Sequence, residues 1–495
     1  MTQRTLIAIL CAVALLLPAA PKPNVLFISI DDLNDWIGCL NGHPQALTPN
    51  LDRLAKRGVL FTNAHCAAPA CSPSRAAVFT GLMPQNNGVW ANRQPKLEKK
   101  YRNPFLLPKS FQQAGYNTLG TGKLLHSKGQ DAFDDYFSTE QRWSPIEKKA
   151  ADYTKEELPS KGTDNPRHLV KHREQTYVLP LNRMPSDRYP EKAGGESFDW
   201  GPWDVPDKDF GDTRITDWAI HRLQEKSDKP LFLGVGYYRP HQPLYAPKRF
   251  FDRFKNDPGK LPPVLENDLD DLSSIARQWA LEPFTSGAHA TVVKFKQWRP
   301  AIEAYLACVT YVDYEIGRLL DALDKSAFAD NTLILLWSDH GWQLGEKQHW
   351  GKWTGWERST KVPLIIIPPR NQSAEFAVGK ACSEPVNLID LYPTLVDFCR
   401  VPPPPHKFDG QSLVPNLKNP HQSTGRTSLT VFDKGNSSLR TDRWRYIRYN
   451  EGSEELYDLR ADPNEWRNLA GKKKHANIRR DLAGKLDNRL AELNN

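Results

Sequence analysis

Beyond its first twenty residues the sequence has no apolar run long enough to cross a membrane. It has no internal repeat, which excludes solenoid and array architectures. Cysteine is scarce: 7 in 495 residues, at 11, 39, 66, 71, 308, 382 and 399, with no zinc-binding spacing. A chain of this length can bury a large core, so it tolerates disulfides without needing them. Cys382 with Cys399 makes a plausible bridge, and Cys66 with Cys71 is a second pairing that the spacing permits. Dense basic runs are also missing, although Lys and Arg outnumber Asp and Glu by 66 to 58 for a net charge of +8. An excess of that kind favours an anionic small molecule or polysaccharide over nucleic acid.

What is present reads as a globular protein, 39% hydrophobic and 25% charged. Fifteen Trp and 40 Pro point to long structured loops and aromatic surfaces. The chain starts Met1-Thr2-Gln3-Arg4, runs apolar from Leu6 to Leu17, and continues Pro18-Ala19-Ala20. A basic start, a short apolar segment and small residues make residues 1–20 a secretory signal peptide. Cys11 has no lipobox before it, so the expectation is an exported protein, periplasmic or secreted, without a stable membrane anchor.

Five short apolar runs have the character of fully buried strands. Val25–Ile30 ends on Asp31-Asp32, and Tyr116–Gly120 leads to Lys123 and His126. Leu231–Val235 leads to Arg239-Pro240-His241, and Leu333–Trp337 ends on Ser338-Asp339-His340-Gly341. The fifth, Pro363–Pro368, carries no reactive tail. Helical patterns lie between them: Leu51–Gly58 with Gly58 as its C-cap, Asp212–Leu223, and Ala301–Leu323 with Tyr305, Val309, Val312, Ile316 and Leu319 on one face. Alternating strand and helix predicts an α/β fold around a large, mostly parallel central sheet flanked by helices. Ligands bind beyond the carboxyl ends of such strands, so the polar tails should converge. The polar stretch at about 141–210, with Trp143, Trp200 and Trp203, reads as an ordered insertion near the site mouth. The expected division is a catalytic domain over 24–418 and, after the stiff Pro402–Pro405 run, a smaller C-terminal α+β subdomain over 420–495. There Ser428–Phe432, Arg440–Tyr449 and Glu455–Tyr457 read as antiparallel strands and Asn477–Leu493 as a helix.

The tails define a chemistry. Asp31, Asp32, Asp339 and His340 at two strand ends suit a hard cation, calcium or magnesium over zinc, although two consecutive acids could also cap a helix. Lys123, Lys352, Arg75 and His241 bring positive charge to the same place, though each lysine alone could be a solvated surface group. The stretch Cys71-Ser72-Pro73-Ser74-Arg75 opens a helix at a turn that would attract an anion, with Pro73 suited to its first position. Its cysteine could be half of a disulfide, a core thiol or a reactive centre. From the residues alone the function is metal-assisted hydrolysis of a tetrahedral anionic ester.

The segment Cys71-Ser72-Pro73-Ser74-Arg75 with Gly81 resembles the C-x-P-S-R signature of type I, formylglycine-dependent sulfatases. Asn24–Asp32, Thr48–Asp52, Gly122-Lys123, Ser338–Gly341 and Glu455–Leu469 resemble other landmarks of that family along nearly the whole chain. Gly122-Lys123-Leu124-Leu125-His126, Gly234–His241 and Ser338–Glu346 are similar to an iduronate-2-sulfatase-like branch. The resemblance implies an alkaline-phosphatase-like sulfatase fold. It also implies conversion of Cys71 to formylglycine by a formylglycine-generating enzyme before folding. The hydrated aldehyde would attack sulfur, form a covalent sulfate intermediate and expel sulfate through its second hydroxyl. Asp31, Asp32, Asp339, His340 and modified Cys71 would bind one calcium ion. Arg75 would steady the hydrated aldehyde, Lys123, Lys352 and His241 would hold sulfate, and His126 would assist elimination. His241 is preferred to Lys352 as the acid for the leaving alcohol. The implied substrate is a sulfated carbohydrate cleaved by exo action. An aryl sulfatase, a phosphoryl or phosphonate ester hydrolase on the same scaffold, and a non-catalytic binder of sulfated glycans are the competing functions. Trp342, Trp350, Trp353 and Trp356 could stack on sugars or belong to the core.

Overall fold

The computed structural model describes residues 21–92, 105–126, 129–138, 142–146, 168–185, 187, 197–283 and 286–493. The expected signal peptide and much of the 141–210 stretch lie outside the described residues. Among the described residues, no helix is long and apolar enough to cross a membrane.

The central sheet has eight strands: β1 (Asn24–Ile30), β2 (Val59–Phe61), β3 (Asn117–Gly122), β4 (Asp135–Phe137), β5 (Leu231–Tyr237), β6 (Thr332–Ser338), β7 (Leu364–Ile367) and β8 (Lys380–Cys382). Their order is β8-β2-β7-β6-β1-β5-β3-β4. β1 runs parallel to both β6 and β5, and β3 parallel to β5 and β4. Only β7 opposes its neighbours, pairing antiparallel with β6 and β2. This explains the one apolar run without a reactive tail. The carboxyl end of β7 points to the far edge of the sheet, away from the tails of β1, β3, β5 and β6.

Both faces of the sheet are covered, which is why its inner strands read as unbroken apolar runs. Alternate residues of β1 enter different cores. Leu26, Ile28 and Ile30 pack in one hydrophobic cluster, and Val25 and Phe27 in the other. Among the helices of the described residues are α1 (Pro49–Lys56), α2 (Cys71–Thr80), α3 (Gly211–Gln224), α4 (Trp298–Asp324) and α5 (Ala476–Leu493). In α4 the predicted stripe of Tyr305, Val309, Val312, Ile316 and Leu319 is fully buried against the first cluster. Gly58 is not the C-cap of α1; Arg57 takes that place with φ −95°. Glycine is needed at 58 because a Cβ there would lie 2.4 Å from the Ile366 carbonyl oxygen of β7.

The C-terminal sheet is antiparallel, in the order β9 (Ser428–Val431), β10 (Ser437–Arg440), β11 (Trp444–Arg448) and β12 (Glu454–Asp458). The expected strand over Arg440–Tyr449 is shorter, Trp444–Arg448, and Arg440 instead ends a separate strand, Ser437–Arg440. Thr441 breaks it, because its hydroxyl accepts the Trp444 and Arg443 N–H groups at 2.9 and 3.3 Å and closes a turn. This sheet and α5 share a core with Ala67, Ala77, Met83 and Ile389, so they pack directly behind α2.

The disulfide expectation fails. All six described cysteines are free thiols. Cys382 lies on β8, where Asn416 donates to it at 3.8 Å, and Cys399 ends another helix beside Tyr116. Each thiol has its own partner, and neither faces the other.

One close approach launches a site residue. Gly122 has φ +70°, and a Cβ on it would sit 2.0 Å from the Gly236 carbonyl oxygen. A Cβ on Gly236 would sit 2.3 Å from the Lys123 carbonyl carbon, while the Lys123 N–H donates to Gly236 at 2.8 Å. Gly236→Ala must push β3 and β5 apart where Lys123 emerges. A destabilisation of about 1–3 kcal/mol is expected. It should be read as a lowered melting temperature together with reduced activity, and an unchanged protein would show that the strand ends can yield.

Candidate active site

The ends of β1 and β6 are adjacent, Ile30 pairing with Ser338. The Ser338 hydroxyl accepts the Leu33 N–H at 3.0 Å and donates to the His340 carbonyl at 3.1 Å, tying the two tails together. Asp32 stands in the left-handed region at φ 60°, a conformation that short polar side chains tolerate. The Tyr305 hydroxyl, from α4, clamps this turn. It donates to the Asp32 carbonyl at 2.8 Å and accepts the Asn34 N–H at 2.9 Å.

Over these strand ends lies the first turn of α2. Cys71 is its first residue, and Pro73 its third rather than its first. Proline is equally harmless there, because first-turn N–H groups have no intrahelical acceptor. Ser74 donates to the Asp339 carbonyl. Arg75, fully buried, donates to Asp339 Oδ2 at 2.9 Å and Asp31 Oδ1 at 3.3 Å. It also reaches Ser29 Oγ at 3.2 Å and the carbonyls of Lys123 and Leu124. Its hydrogen bonds go to the carboxylates and their supports, and the position-71 sulfur is not among their acceptors.

The remaining tails converge as the strand rule requires. Lys352 Nζ lies 2.8 Å from Cys71 Sγ, 2.7 Å from Asp32 Oδ1 and 3.4 Å from His340 Nε2. Lys123 Nζ pairs with Asp31 Oδ2. His241 Nε2 faces Asp31 and Asp32 at 3.9 and 3.8 Å, while its Nδ1 is held on the Gln242 carbonyl. His126 stands close enough to the Cys71 thiol to help lower it, and its buried Nδ1 has no hydrogen-bond partner. All ten residues expected at the site are therefore within one cluster.

The electrostatics are those of crowded charge. Burial raises the Cys71 thiol, but Lys123, Lys352 and His340 outweigh it and hold the thiol well below its ordinary range. Burial, with the Cys71 charge adding to it, pushes the Asp31 carboxyl up, and burial pushes Asp32 up to about 7. Asp339 goes the other way, because Arg75 and His340 overcome its burial. Burial and Lys123 lower His241 to about 3.

A cation fits this cluster. Ligand atoms of Asp31, Asp32, Cys71 and His340 all lie within 4.8 Å of one another. Asp32 Oδ2 is buried without a hydrogen-bond partner. His340 Nδ1 is held on the Gly341 carbonyl at 2.9 Å, which leaves the lone pair of Nε2 facing the carboxylates, the arrangement of a ligating imidazole. Asp339 stands behind this group of four. Its Oδ1 accepts the Asp32 and His340 N–H groups at 3.1 Å and its Oδ2 takes Arg75, although Oδ2 is also 3.6 Å from His340 Nε2.

The tryptophan question resolves unevenly. Trp342, Trp350 and Trp356 are core residues, 2%, 3% and 1% exposed, and only Trp353, in the left-handed region at φ 78°, is half-buried. Ser74, Ser338 and Tyr305 support the site without having been singled out for it. Tyr305 carried no local signal beyond a polar tip on an apolar face.

The chain is similar to known proteins in sequence and in fold. A family model described as Sulfatase matches residues 23–400, and one described as N-sulphoglucosamine sulphohydrolase, C-terminal, matches 345–492. The chain is 35% identical over 458 residues to a sulfatase of Formosa agariphila, covering 91% of this chain and 83% of that protein. It is 29% identical over 415 residues to the iduronate 2-sulfatase of Homo sapiens, covering 77% and 70%. The fold is similar to that of a phosphonate monoester hydrolase of Agrobacterium radiobacter, with TM-score 0.71, 22% identity, and 95% and 96% coverage.

Calcium should raise the melting temperature of the wild-type protein. The expected stabilisation is about 2.7 kcal/mol at a hundredfold excess over Kd. Asp32→Asn should abolish most of that shift. A wild-type midpoint indifferent to both calcium and chelator would rule out a cation at these carboxylates.

Proposed function

Because the chain belongs to the sulfatase family and is a sulfuric ester hydrolase, we propose that it removes sulfate from a carbohydrate by exo action, with an iduronate-2-sulfatase-like preference. The observation that carries the reading is the position of residue 71. It stands at the N-terminus of a ten-residue helix, in contact with Lys352, His340 and His126, beside a set of carboxylates.

Cys71 is to be converted to formylglycine, whose hydrate supplies one hydroxyl to attack sulfur and a second through which sulfate is released. Cys71 is fully buried in the folded chain, which is why a formylglycine-generating enzyme must act before folding. Asp31, Asp32, His340 and the position-71 side chain would hold a calcium ion, with Asp339 behind them; the ion supplies Lewis acidity at the sulfate oxygens. Lys123 and Lys352 balance the negative charge of the bound sulfate group. Arg75 neutralises Asp31 and Asp339, so that positive charge is left over for the substrate. His126, beside residue 71, is placed to take its proton. His241 presents Nε2 to the same space and donates a proton to the leaving oxygen, since Lys352 already holds Asp32 and residue 71. Burial and Lys123 make its imidazolium a strong acid, and the anionic substrate favours its protonation.

The half-buried Trp353, next to Lys352 in the chain, is the tryptophan assigned to the substrate side. The N-terminal twenty residues are assigned to export, to the periplasm or outside the cell, where sulfated polysaccharides are met. A phosphonate or aryl ester activity is the second reading, favoured by the shared fold with a phosphonate monoester hydrolase.

The deciding assay is sulfate release from a panel of 2-sulfated uronides, sulfated hexoses, sulfated hexosamines and an aryl sulfate, with a phosphonate monoester alongside. The protein is made with verified formylglycine, and Cys71→Ala is the control. Release from one sugar class, falling by at least about 10³-fold in the control, is expected. Preferential turnover of the phosphonate or the aryl sulfate would replace the carbohydrate reading.

A further inference from the structure

Behind His241 lies a guanidinium that the mechanism above does not use. Arg239 is 1% exposed. Its Nε donates to the Tyr245 carbonyl at 2.7 Å and its Nη1 to the His241 carbonyl at 3.2 Å. Its Nη2 donates to the carbonyls of Arg142 at 3.1 Å and Ser144 at 3.0 Å. Among the described residues its side-chain hydrogen bonds thus all go to main-chain carbonyls. Charge balance comes from Asp212 near the start of α3, whose two carboxylate oxygens accept the N–H groups of Tyr238 and Arg239, each at 2.9 Å.

Burying a guanidinium costs several kcal/mol, and a carboxylate bound through its fork is the usual compensation. Here the fork is used for geometry instead. The four carbonyls belong to three stretches: the loop after β5, the strand Leu244–Pro247, and the segment 142–146. Each stretch has further supports that end at this point. The Tyr245 hydroxyl donates to Asp199 at 2.5 Å, and Asp199 accepts the N–H groups of Leu181, Asn182 and Trp200 at 2.8 Å. Arg142 donates to Ser197, which also accepts from Gln242, the residue after His241. The walls around His241 therefore meet at one planar group.

We propose that Arg239 is a positioning residue for His241: its four-carbonyl clamp fixes the His241 main chain against segment 142–146 and strand Leu244–Pro247, and so sets where the imidazole stands over the Asp31–Asp32 carboxylates. A lysine keeps the charge but has a single nitrogen, which cannot span four carbonyls in one plane. The charge balance with Asp212 survives that substitution while the clamp is lost. A displacement of about 1 Å at a catalytic group costs on the order of 10²-fold in rate.

The proposal rests on His241 facing the substrate sulfate, and a double-mutant cycle separates the two. Arg239→Lys, His241→Ala and the double variant are made as full-length protein, with formylglycine content, calcium content and melting temperature recorded for each. Sulfate release is followed on the best substrate of the panel. Arg239→Lys should lower kcat by about 10- to 100-fold with KM changed less than about 3-fold. In the His241→Ala background the same substitution should lower kcat less than about 3-fold, because the group it positions is gone. Wild-type kcat in Arg239→Lys, or effects that multiply in the double variant, would overturn the proposal. His241→Ala at wild-type kcat would overturn the role of His241 and this proposal with it, whereas an impaired His241→Ala beside an unimpaired Arg239→Lys overturns this proposal alone. If Arg239→Lys is not recovered folded, Arg239→Gln goes through the same cycle with the same two outcomes.

Discussion

The pairing of Arg75 with Asp31 and Asp339 is the interaction on which the rest of the site depends. Two carboxylates stand at the ends of neighbouring strands with no exposure to water, and a third, Asp32, follows the first directly. Their mutual repulsion would force protonation or pull the strand ends apart. The guanidinium spans the first two and adds bonds to Ser29 and to the carbonyls beneath Lys123. Since Arg75 belongs to α2, the same contact sets the depth and rotation of the helix that begins at Cys71. Neutralising the acids and placing the nucleophilic position are thus one structural event.

The distribution of charge over the fold follows from this. Carboxylates come from the most rigid parts, the first residues beyond the two central strands. Lys123 is likewise the first residue beyond β3, and Lys352 and the imidazole of His241 come from the loops around them. A cation site needs fixed ligands, and the sheet supplies them. The C-terminal sheet packs behind α2 without contributing a residue to the cluster. Its place in the site is mechanical support for the helix that carries Cys71 and Arg75.

Much of this was legible in the chain because parallel strands make it so. An apolar run covered on both faces is continuous, and its first polar residues must emerge at one edge of the sheet. Asp31, Asp32, Lys123, His241, Asp339 and His340 were each found that way. Errors arose where a local signal had a distant cause. Gly58 looked like a cap and is instead a gap for the Ile366 carbonyl. Arg440–Tyr449 looked like one strand because Thr441 and Asp442 interrupt it without glycine or proline. Cys382 and Cys399 are near in sequence and share one core, but each thiol meets a different partner, Asn416 and Tyr116. The reversed direction of β7 is invisible in a run of isoleucines, since direction is a property of pairing.

The sequence by itself determined the chemistry: the acids, lysines and imidazoles, the signature at Cys71, and the sheet edge to which they lead. These follow from continuous apolar runs that end in polar residues and from residue type, both of which are local. Only the tertiary structure decided which atoms meet. It turned Asp339 onto Arg75, buried three of four neighbouring tryptophans, brought Tyr305 from α4 to clamp the Asp32 turn, and gave Arg239 four carbonyls from three stretches of chain. Most such contacts join residues tens to hundreds of positions apart. Their geometry depends on how whole elements pack, and no local pattern in a chain encodes it.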